Sequence, residues 1–390
     1  MTSKRSPATI LASAGVAADS ACRAIAPPLW SSDTFEWANP DDKPEFDYSR
    51  TVNPNRALLA AALAELEGAA GGCVTNSGQS AALLATLLLK TGSRVVAPHD
   101  CYGGTYRLLQ GLEDKGALGV EFVDLADDAA FAAAMGRDVD LLWIETPSNP
   151  LLRATDIARR ANQAREAGAL SLADNTLLTP CRQNPLALGC DMVLHSTTKA
   201  LNGHADLFGG ALLAATDELV EQLSWWANAA GLSGSAHDSW QTLRGLRTLP
   251  LRIDRQEATA SAIAHWLTDQ PLVEQVYYPG LEDYPGRDIA ARQQSGPGFM
   301  IAFRISGGEA AAHAFVAALE LVTLASSLGG FSSLICTPAS MTHRGMPPEA
   351  RDRAGVTPDL LRLSIGLEDS ADLNHDMARG FAALGAKRTS

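Results

Sequence analysis

The sequence lacks the cysteine patterns that mark zinc sites and disulfide frameworks. Its six cysteines are scattered along 390 residues, with no Cys-x-x-Cys pair and no cluster with histidine. Scattered cysteines of this kind are typical of proteins in a reducing compartment. We therefore expect a cytoplasmic protein without a metal site.

Basic residues are scarce relative to acidic ones. The 31 Lys and Arg residues against 44 Asp and Glu residues give a formal net charge of -13, which argues against nucleic acid or an anionic membrane as the partner. No segment of transmembrane length is continuously apolar. The alanine-rich stretch near the N-terminus is interrupted by Thr9, Ser13 and Asp19, so it lacks the apolar core of a signal peptide. Chemistry on small molecules is the function class that remains.

The order of apolar segments predicts an α/β fold. From about residue 92 to 214, short apolar runs alternate with alanine-rich helical stretches, which is the pattern of βαβ units in a mostly parallel sheet. After Pro250 the pattern changes to a long polar helix, a strand near Phe299 to Arg304, a helix from Glu309 and a last strand at Leu361 to Ile365. This second pattern predicts a smaller α+β domain.

The length of the chain favours two domains over a single core. We divide it into an N-terminal arm at residues 1–55, a larger domain at 56–250 and a C-terminal domain at 251–390. The arm is rich in proline, aspartate and aromatic residues and has poor periodicity. We expect it to pack against a neighbouring subunit.

Polar side chains follow the apolar runs of the larger domain. The carboxyl ends of parallel strands share one edge of a sheet, and ligands bind there, so we expect these groups to converge. The segments in question are His99 to Tyr102, Glu145 to Pro150, Asp174 to Thr176 and His195 to Lys199.

Lys199 is the strongest single candidate. A short apolar strand leads into Ser196, Thr198 and Lys199, and a glycine turn follows. A lysine at a strand end in a low-dielectric cleft can lose its proton and become a nucleophile, and the two hydroxyls can donate to a phosphate. An isolated lysine on a loop is usually a solvated surface residue, so this interpretation depends on other motifs.

Three further features complete a possible cofactor site. The segment Ser77-Gly78-Gln79 precedes a helix, whose N-terminal amides can hold a phosphate. Asp174 can pair with a protonated ring nitrogen, and Tyr102 can stack on a flat ring. Each feature alone has an ordinary structural explanation, as a loop, a cap or a packing residue. Together with Lys199 they describe a site for pyridoxal 5'-phosphate (PLP).

The order of motifs resembles a known family over nearly the whole chain. The motifs are Tyr48-Ser49-Arg50 with Asn53-Pro54, Ala97 to Gly104, Glu145 to Leu152, Trp225 to Asn228, Arg244 to Leu249, Ser327 to Gly330 and Leu361 to Glu368. In this sequence they are similar to those of the Cys/Met metabolism family of PLP-dependent enzymes. The resemblance implies the aspartate aminotransferase-like fold of PLP-dependent transferases.

The resemblance also implies roles for individual residues. Lys199 would bind the cofactor covalently and move protons, Ser327 would position it, and Tyr102 is a second candidate proton carrier. The residues implied to bind the cofactor are Tyr48, Arg50, Ser77, Gly78, Gln79, Tyr102, Asn149, Asp174, Thr176, Ser196, Thr198 and Lys199. Those implied to contact the substrate are Asp47, Arg107, Ser326 and Arg362, with Arg362 at the α-carboxylate and Arg107 at a distal carboxylate.

The family further implies an oligomer. Tyr48 and Arg50 would reach the phosphate held by the adjacent subunit, so each active site would need two chains. At least a dimer follows, and the resemblance implies a homotetramer that acts on small amino-acid substrates.

The expected reaction is γ-replacement on an activated homoserine ester. O-Succinylhomoserine and cysteine would give cystathionine and succinate. The alternative is a γ- or β-lyase that releases a 2-oxo acid and ammonia from cystathionine or another γ-substituted amino acid. A PLP-binding protein without turnover is disfavoured, because Lys199, Asp174, Tyr102 and Arg362 are all present.

Two departures from the family pattern keep the lyase alternative open. Related synthases usually carry an acidic residue where this chain has Ser326, and an arginine where it has Thr51. Each departure removes one charge, of opposite sign. If the two side chains face each other across the pocket, their joint loss leaves no unpaired charge.

Overall fold

The computed structural model describes residues 5–386, and its strands form two β-sheets. In this part of the chain the strands are β1 Gly71–Thr75, β2 Arg94–Pro98, β3 Gly119–Val123, β4 Leu141–Glu145, β5 Leu170–Asp174, β6 Met192–His195, β7 Gly210–Ala214, β8 Val273–Tyr277, β9 Met300–Ile305, β10 Thr323–Leu324, β11 Leu334–Cys336 and β12 Leu360–Ser364. The α-helices are α1 Pro7–Ser13, α2 Pro54–Glu67, α3 Gly78–Thr86, α4 Gly103–Asp114, α5 Asp128–Met135, α6 Ile157–Glu166, α7 Thr179–Arg182, α8 Asp217–Ala229, α9 Ala236–Leu246, α10 Leu249–Thr268, α11 Arg287–Gln293, α12 Gly308–Ala317, α13 Pro348–Ala354 and α14 Ser370–Ala386. None of these helices is long and apolar enough to cross a membrane.

The larger sheet confirms the predicted, mostly parallel arrangement. Its seven strands have the order β1-β7-β6-β5-β4-β2-β3, and only β7 runs against its neighbours. Every residue of β4 and of β7 is buried, as expected for strands covered by helices on both faces. The carboxyl ends of β1, β4, β5 and β6 therefore lie along one edge.

The smaller sheet has the order β10-β11-β12-β9-β8 and is antiparallel except for the β10–β11 pair. Helices α10, α12 and α14 pack against each other and against this sheet through a cluster that includes Phe303, Phe315 and Ile263. The sequence predicted α10, β9, α12 and β12. It missed β8, β10 and β11, because their apolar runs are short and partly exposed.

The N-terminal segment packs partly on its own chain. Ile10 and Leu11 of α1 are buried in the apolar cluster that also contains Leu59 and Leu63 of α2. Between α1 and α2 the backbone forms only isolated bridges, among them Thr34 with Tyr48. The segment near Tyr48 is held to the rest of the chain by side chains, such as Arg56, which donates to the Ser49 and Arg50 carbonyls.

Arg252 of α10 fixes the segment that follows Lys199. Its guanidinium is buried and donates to the Ala200 carbonyl (2.8 Å) and to the Gly245 carbonyl (2.9 Å). Burial lowers the pKa of Arg252 to about 10. At Gly245 of α9 a Cβ atom would overlap the carbonyl oxygen of Asn202, so α9 approaches this segment as closely as a glycine allows.

We expect Gly245→Ala to destabilise the protein. Overpacking at this contact costs about 1–3 kcal/mol of unfolding free energy, measured by urea unfolding. The matched control is Gly111→Ala in α4, where a Cβ meets nothing within 4 Å, and this change should be neutral or stabilising by about 0.5–1 kcal/mol. Equal stability of the two variants would contradict the close packing of α9 on Asn202.

Candidate active site

A cavity of about 440 Å³ opens at the carboxyl edge of the larger sheet. It also touches the smaller sheet, because β12 and the segment after β10 form one of its walls. Most of the sequence-predicted site residues line it, namely Ser77, Gly78, Gln79, Tyr102, Arg107, Asn149, Asp174, Thr176, Ser196, Thr198, Lys199, Ser326, Ser327 and Arg362. Its volume is in the usual range for small-molecule sites.

Three predicted residues lie outside this cavity. Tyr48 and Arg50 are exposed, and Asp47 is half-buried beside them. The Arg50 guanidinium lies over the Tyr48 ring at 5.1 Å and donates from Nε to Asn228 Oδ1 at 3.2 Å. Asp47 contacts Lys43 at 3.5 Å. A single chain thus does not bring these residues to its own cavity.

Two groups from the cavity wall formed with the smaller sheet act on the Lys199 amine. Its Nζ donates a hydrogen bond to Ser327 Oγ at 2.8 Å. Burial, and then the positive charge of Arg362, lower the pKa of Lys199 to about 8. A substantial fraction of the amine is therefore neutral near physiological pH. Ser327 has φ 92°, an unfavourable conformation for a residue with a Cβ that is typical of functional sites.

The N-terminus of α3 forms a cradle suited to phosphate. Ser77 caps the helix by accepting from the Ser80 amide. The amides of Gly78 and Gln79 occupy the first helical positions, which have no acceptor within the helix. A Cβ at Gly78 would lie 2.9 Å from Ser196 Cβ. Only glycine therefore lets the start of α3 lie this close to Ser196.

The hydroxyls predicted to complete the cradle have different partners. Thr176 Oγ1 accepts from the Ser196 amide at 2.9 Å and thereby links the ends of β5 and β6. The Thr198 hydroxyl both accepts from and donates to the Gly209 backbone, at 3.0 and 3.2 Å. Ser196 Oγ forms no hydrogen bond with another described residue. That hydroxyl is therefore free for a ligand.

Two carboxyl groups lie side by side in the lining of the cavity. Glu145 and Asp174 are paired in the register of β4 and β5. Burial, and then the charge of Asp174, raise the pKa of Glu145 well above its usual value. Burial also raises the pKa of Asp174, but hydrogen bonds from Thr176 and the charge of His195 oppose this. The protonated form is thus favoured more strongly at Glu145 than at Asp174, whose charged form is supported by Thr176 and His195.

Glu145 had no predicted role of its own, although its segment was expected at this edge of the sheet. Its Oε2 accepts a hydrogen bond from the Tyr102 backbone amide at 2.8 Å, so it fixes the start of α4. The feature of the sequence that could have identified Glu145 is an acidic residue at the end of an otherwise apolar strand. That position is costly unless the carboxyl group is protonated or hydrogen-bonded.

Arg362 of β12 is buried and only partly hydrogen-bonded. It donates to Asn149 Oδ1 and to the Ser327 carbonyl, both at 3.0 Å. Its Nε is buried without a partner among the described residues. Spare donors on a fixed, planar guanidinium are suited to a carboxylate ligand.

His343 holds Asn149 from the opposite side, and the sequence gave no indication of it. Burial and the nearby Arg362 lower the pKa of His343 to about 4. The ring is thus neutral, and its Nε2 donates to the Asn149 carbonyl at 2.9 Å while Nδ1 lies 2.9 Å from Thr342 Oγ1. No motif near His343 marks it as part of a site nearly two hundred residues away.

These features fit PLP. A lysine with a lowered pKa, a helix N-terminus with free amides and a buried aspartate are arranged around one cavity of suitable size. They match the three parts of the cofactor that a protein must hold, which are the carbonyl carbon, the phosphate and the ring nitrogen.

The family is established by comparison with known proteins. Residues 8–382 match the family described as Cys/Met metabolism PLP-dependent enzyme. The chain belongs to this family and is a PLP-dependent enzyme that acts on small amino-acid substrates.

Relatives of two reaction types are similar over nearly the whole chain. The sequence is 48% identical to the cystathionine gamma-synthase of Escherichia coli (strain K12), over 97% of this chain and 98% of that protein. It is 39% identical to the cystathionine gamma-lyase of Bacillus subtilis (strain 168), over 96% of this chain and 98% of that protein.

A solved structure confirms the fold that the resemblance implied. The cystathionine gamma synthase from Xanthomonas oryzae pv. oryzae, in complex with cystathionine, matches with a TM-score of 0.97 and 48% identity, covering 98% of this chain and 100% of that chain. The PLP-dependent transferase fold expected from the sequence is therefore correct.

We expect Arg362→Gln to raise the pKa of Lys199. Removing a neighbouring positive charge favours the protonated amine, so the pH midpoint for PLP uptake by the apoenzyme should shift upward, by about one unit. The measurement is the rate of PLP uptake against pH, followed by absorbance. Arg107→Gln removes the other cavity arginine, which does not perturb Lys199, and is the control. An unchanged midpoint in Arg362→Gln would mean that burial alone sets this pKa.

Proposed function

We propose that this enzyme catalyses γ-replacement on O-succinylhomoserine, with cysteine as the thiol, to give cystathionine and succinate. The observation that carries the proposal is the presence of two arginines in one cavity. Arg362 is fixed by Asn149 and Ser327, whereas Arg107 makes no hydrogen bond or ion pair with another residue in the described range 5–386 and lines the same space. O-Succinylhomoserine carries two carboxylates, and each arginine suits one of them.

The backbone around Arg107 supports this assignment. A Cβ at Gly345 would lie 2.8 Å from Arg107 Cδ and 2.9 Å from its Nη1. The loop that follows β11 therefore packs directly on the arginine and limits its positions. Arg107 is the fifth residue of α4, whose N-cap is Tyr102, and both residues line the cavity.

Lys199 is the proposed proton carrier at the substrate. PLP, when bound, draws electron density away from the substrate α-carbon and makes its proton acidic. The neutral amine of Lys199 accepts that proton, and Ser327 Oγ, at 2.8 Å, keeps Nζ aimed into the cavity. Arg362 holds the α-carboxylate, and Glu145 holds the backbone amide of Tyr102.

We also propose that each active site is completed by a second chain. Tyr48 and Arg50 are exposed and lie away from their own cavity, and the arm of residues 1–55 would carry them to the phosphate of a neighbour. The arrangement needs a dimer at least, and we propose a homotetramer. A cytoplasmic location is supported by the six cysteines, which are all free.

A lyase is the second candidate, favoured by Ser326. It lines the cavity beside Ser327 and offers no charge to a substrate ammonium group. Thr51 is not in the same cavity, because its hydroxyl lies 3.4 Å from Asn228 on α8. Ser326 and Thr51 therefore do not face each other within one chain, and compensation between them requires two subunits.

The two reactions can be separated in one assay. Purified enzyme is incubated with O-succinylhomoserine, with and without cysteine, and cystathionine and 2-oxobutyrate are quantified in the same samples. We expect cystathionine to dominate when cysteine is present. Equal amounts of 2-oxobutyrate with and without cysteine would instead identify a γ-lyase.

The shared active site can be tested by mixing inactive variants. Arg50→Ala and Lys199→Ala damage different chains of each proposed site, so mixed dimers contain one intact site, and random mixing should restore about a quarter of the wild-type activity. The control pairs Lys199→Ala with Asp174→Ala, which damage groups of the same chain. Recovery in neither mixture would contradict the intersubunit site.

A further inference from the structure

Three buried polar side chains lie behind the cofactor cavity without lining it. Glu67 is the last residue of α2, His195 is the last residue of β6, and Asn175 follows β5 directly. Their exposed fractions are 1%, 0% and 0%. His195 Nε2 lies 2.7 Å from Glu67 Oε1, and Asn175 Nδ2 donates to the same oxygen at 2.9 Å.

One carboxylate oxygen therefore joins two strand ends. Asn175 comes directly after Asp174, and the backbone amide of Asn175 donates to the Leu194 carbonyl at 3.0 Å. His195 is four residues before Lys199. Through Asn175 and His195, Glu67 is thus connected to the two backbone segments that carry Asp174 and Lys199. These are the groups expected at opposite ends of the cofactor.

The burial of Glu67 calls for an explanation. A carboxylate away from water is unfavourable unless partners compensate it, and apolar residues would stabilise an ordinary core at least as well. The second oxygen of Glu67 has only a 3.3 Å contact, with Asn184 Nδ2. His195 Nδ1 is buried without a partner among the described residues, so Glu67 alone sets the direction of this imidazole.

The pair also acts on Asp174 electrostatically. Positive charge on His195 lowers the pKa of Asp174 and opposes the effect of burial. The ionisable groups that face this region are Glu67 from α2, Glu145 from β4, Asp174 from β5 and Cys190 just before β6. These groups are all acidic, whereas His195 is basic and favours a charged Asp174.

We propose that Glu67 is a positioning residue for the PLP site. Through Asn175 and His195 it holds the ends of β5 and β6 in register, so that Asp174 and Lys199 both face the cofactor. It also keeps His195 oriented to support the negative charge on Asp174. The proposal concerns the PLP site of the family and does not depend on whether the reaction is a replacement or an elimination.

The test uses Glu67→Gln, which keeps the shape of the side chain and removes its charge. Two measurements are made on the full-length enzyme: the Kd of the apoenzyme for PLP, and the nitrogen-15 NMR shift of PLP labelled at the ring nitrogen. We expect the Kd to rise about tenfold, as for loss of hydrogen bonds to a charged group. Without the Glu67 carboxylate, His195 no longer supports the negative charge on Asp174. The nitrogen signal should therefore move toward that of an unprotonated pyridine.

The control is Glu65→Gln on the same helix. Glu65 is paired with Arg5 at the surface, with 42% of its side chain exposed. Both measurements should match the wild type in this variant. If Glu67→Gln leaves the Kd within about twofold and the nitrogen shift unchanged, the proposal is wrong, even if the variant unfolds at a lower temperature.

His195→Gln separates the positioning part of the proposal from its electrostatic part. It also replaces Glu67→Gln as the test if that variant does not fold. The glutamine amide can still donate to Glu67 but carries no charge. We expect the nitrogen shift to change while the Kd changes less than in Glu67→Gln. A wild-type nitrogen shift in His195→Gln would overturn the electrostatic part of the proposal.

Discussion

The contact between Lys199 Nζ and Ser327 Oγ is the constraint on which the rest of the structure depends. It joins groups 128 residues apart, from the carboxyl edge of the larger sheet and from the wall formed with the smaller sheet. The pKa of Lys199 falls to about 8 because the amine is buried between the sheets beside Arg362. Lys199 follows a strand of the larger sheet and Arg362 lies on a strand of the smaller one, so this lowered pKa depends on the packing of the two sheets.

Much of the remaining polar architecture keeps that junction in place. Arg252 holds the segment after Lys199 from the side of α10, and His343 holds Asn149, which in turn accepts from Arg362. Ser327 keeps an unfavourable φ of 92°, which persists only where the surroundings determine it. The resulting site is preorganised, because its donors and acceptors are fixed by protein groups before a ligand arrives.

The sequence predicted the parts of the site that local patterns can express. Strands β2 to β6 are short apolar runs between helical stretches, and the polar residues after them meet at one edge because parallel strands end together. Glu145, His343 and Glu67 escaped prediction for a common reason. Each acts through a partner that is distant in the sequence, and the identity of such a partner cannot be inferred from neighbouring residues. Asp47, Tyr48 and Arg50 show the reverse case, since their motif is clear in the sequence but a single chain gives them no ligand to contact.

The division of the cavity explains how one scaffold can serve both synthases and lyases. Asp174, Asn149 and Arg362 are tied into buried networks, where a substitution leaves unpaired polar atoms and is costly. Arg107 and Ser326 line the cavity outside these networks, and Arg107 is exposed. Such positions can change with little effect on the fold. Relatives at 48% and 39% identity carry the names of a synthase and a lyase over nearly the same length, which is the outcome expected when specificity depends on a few residues at the open end of a fixed site.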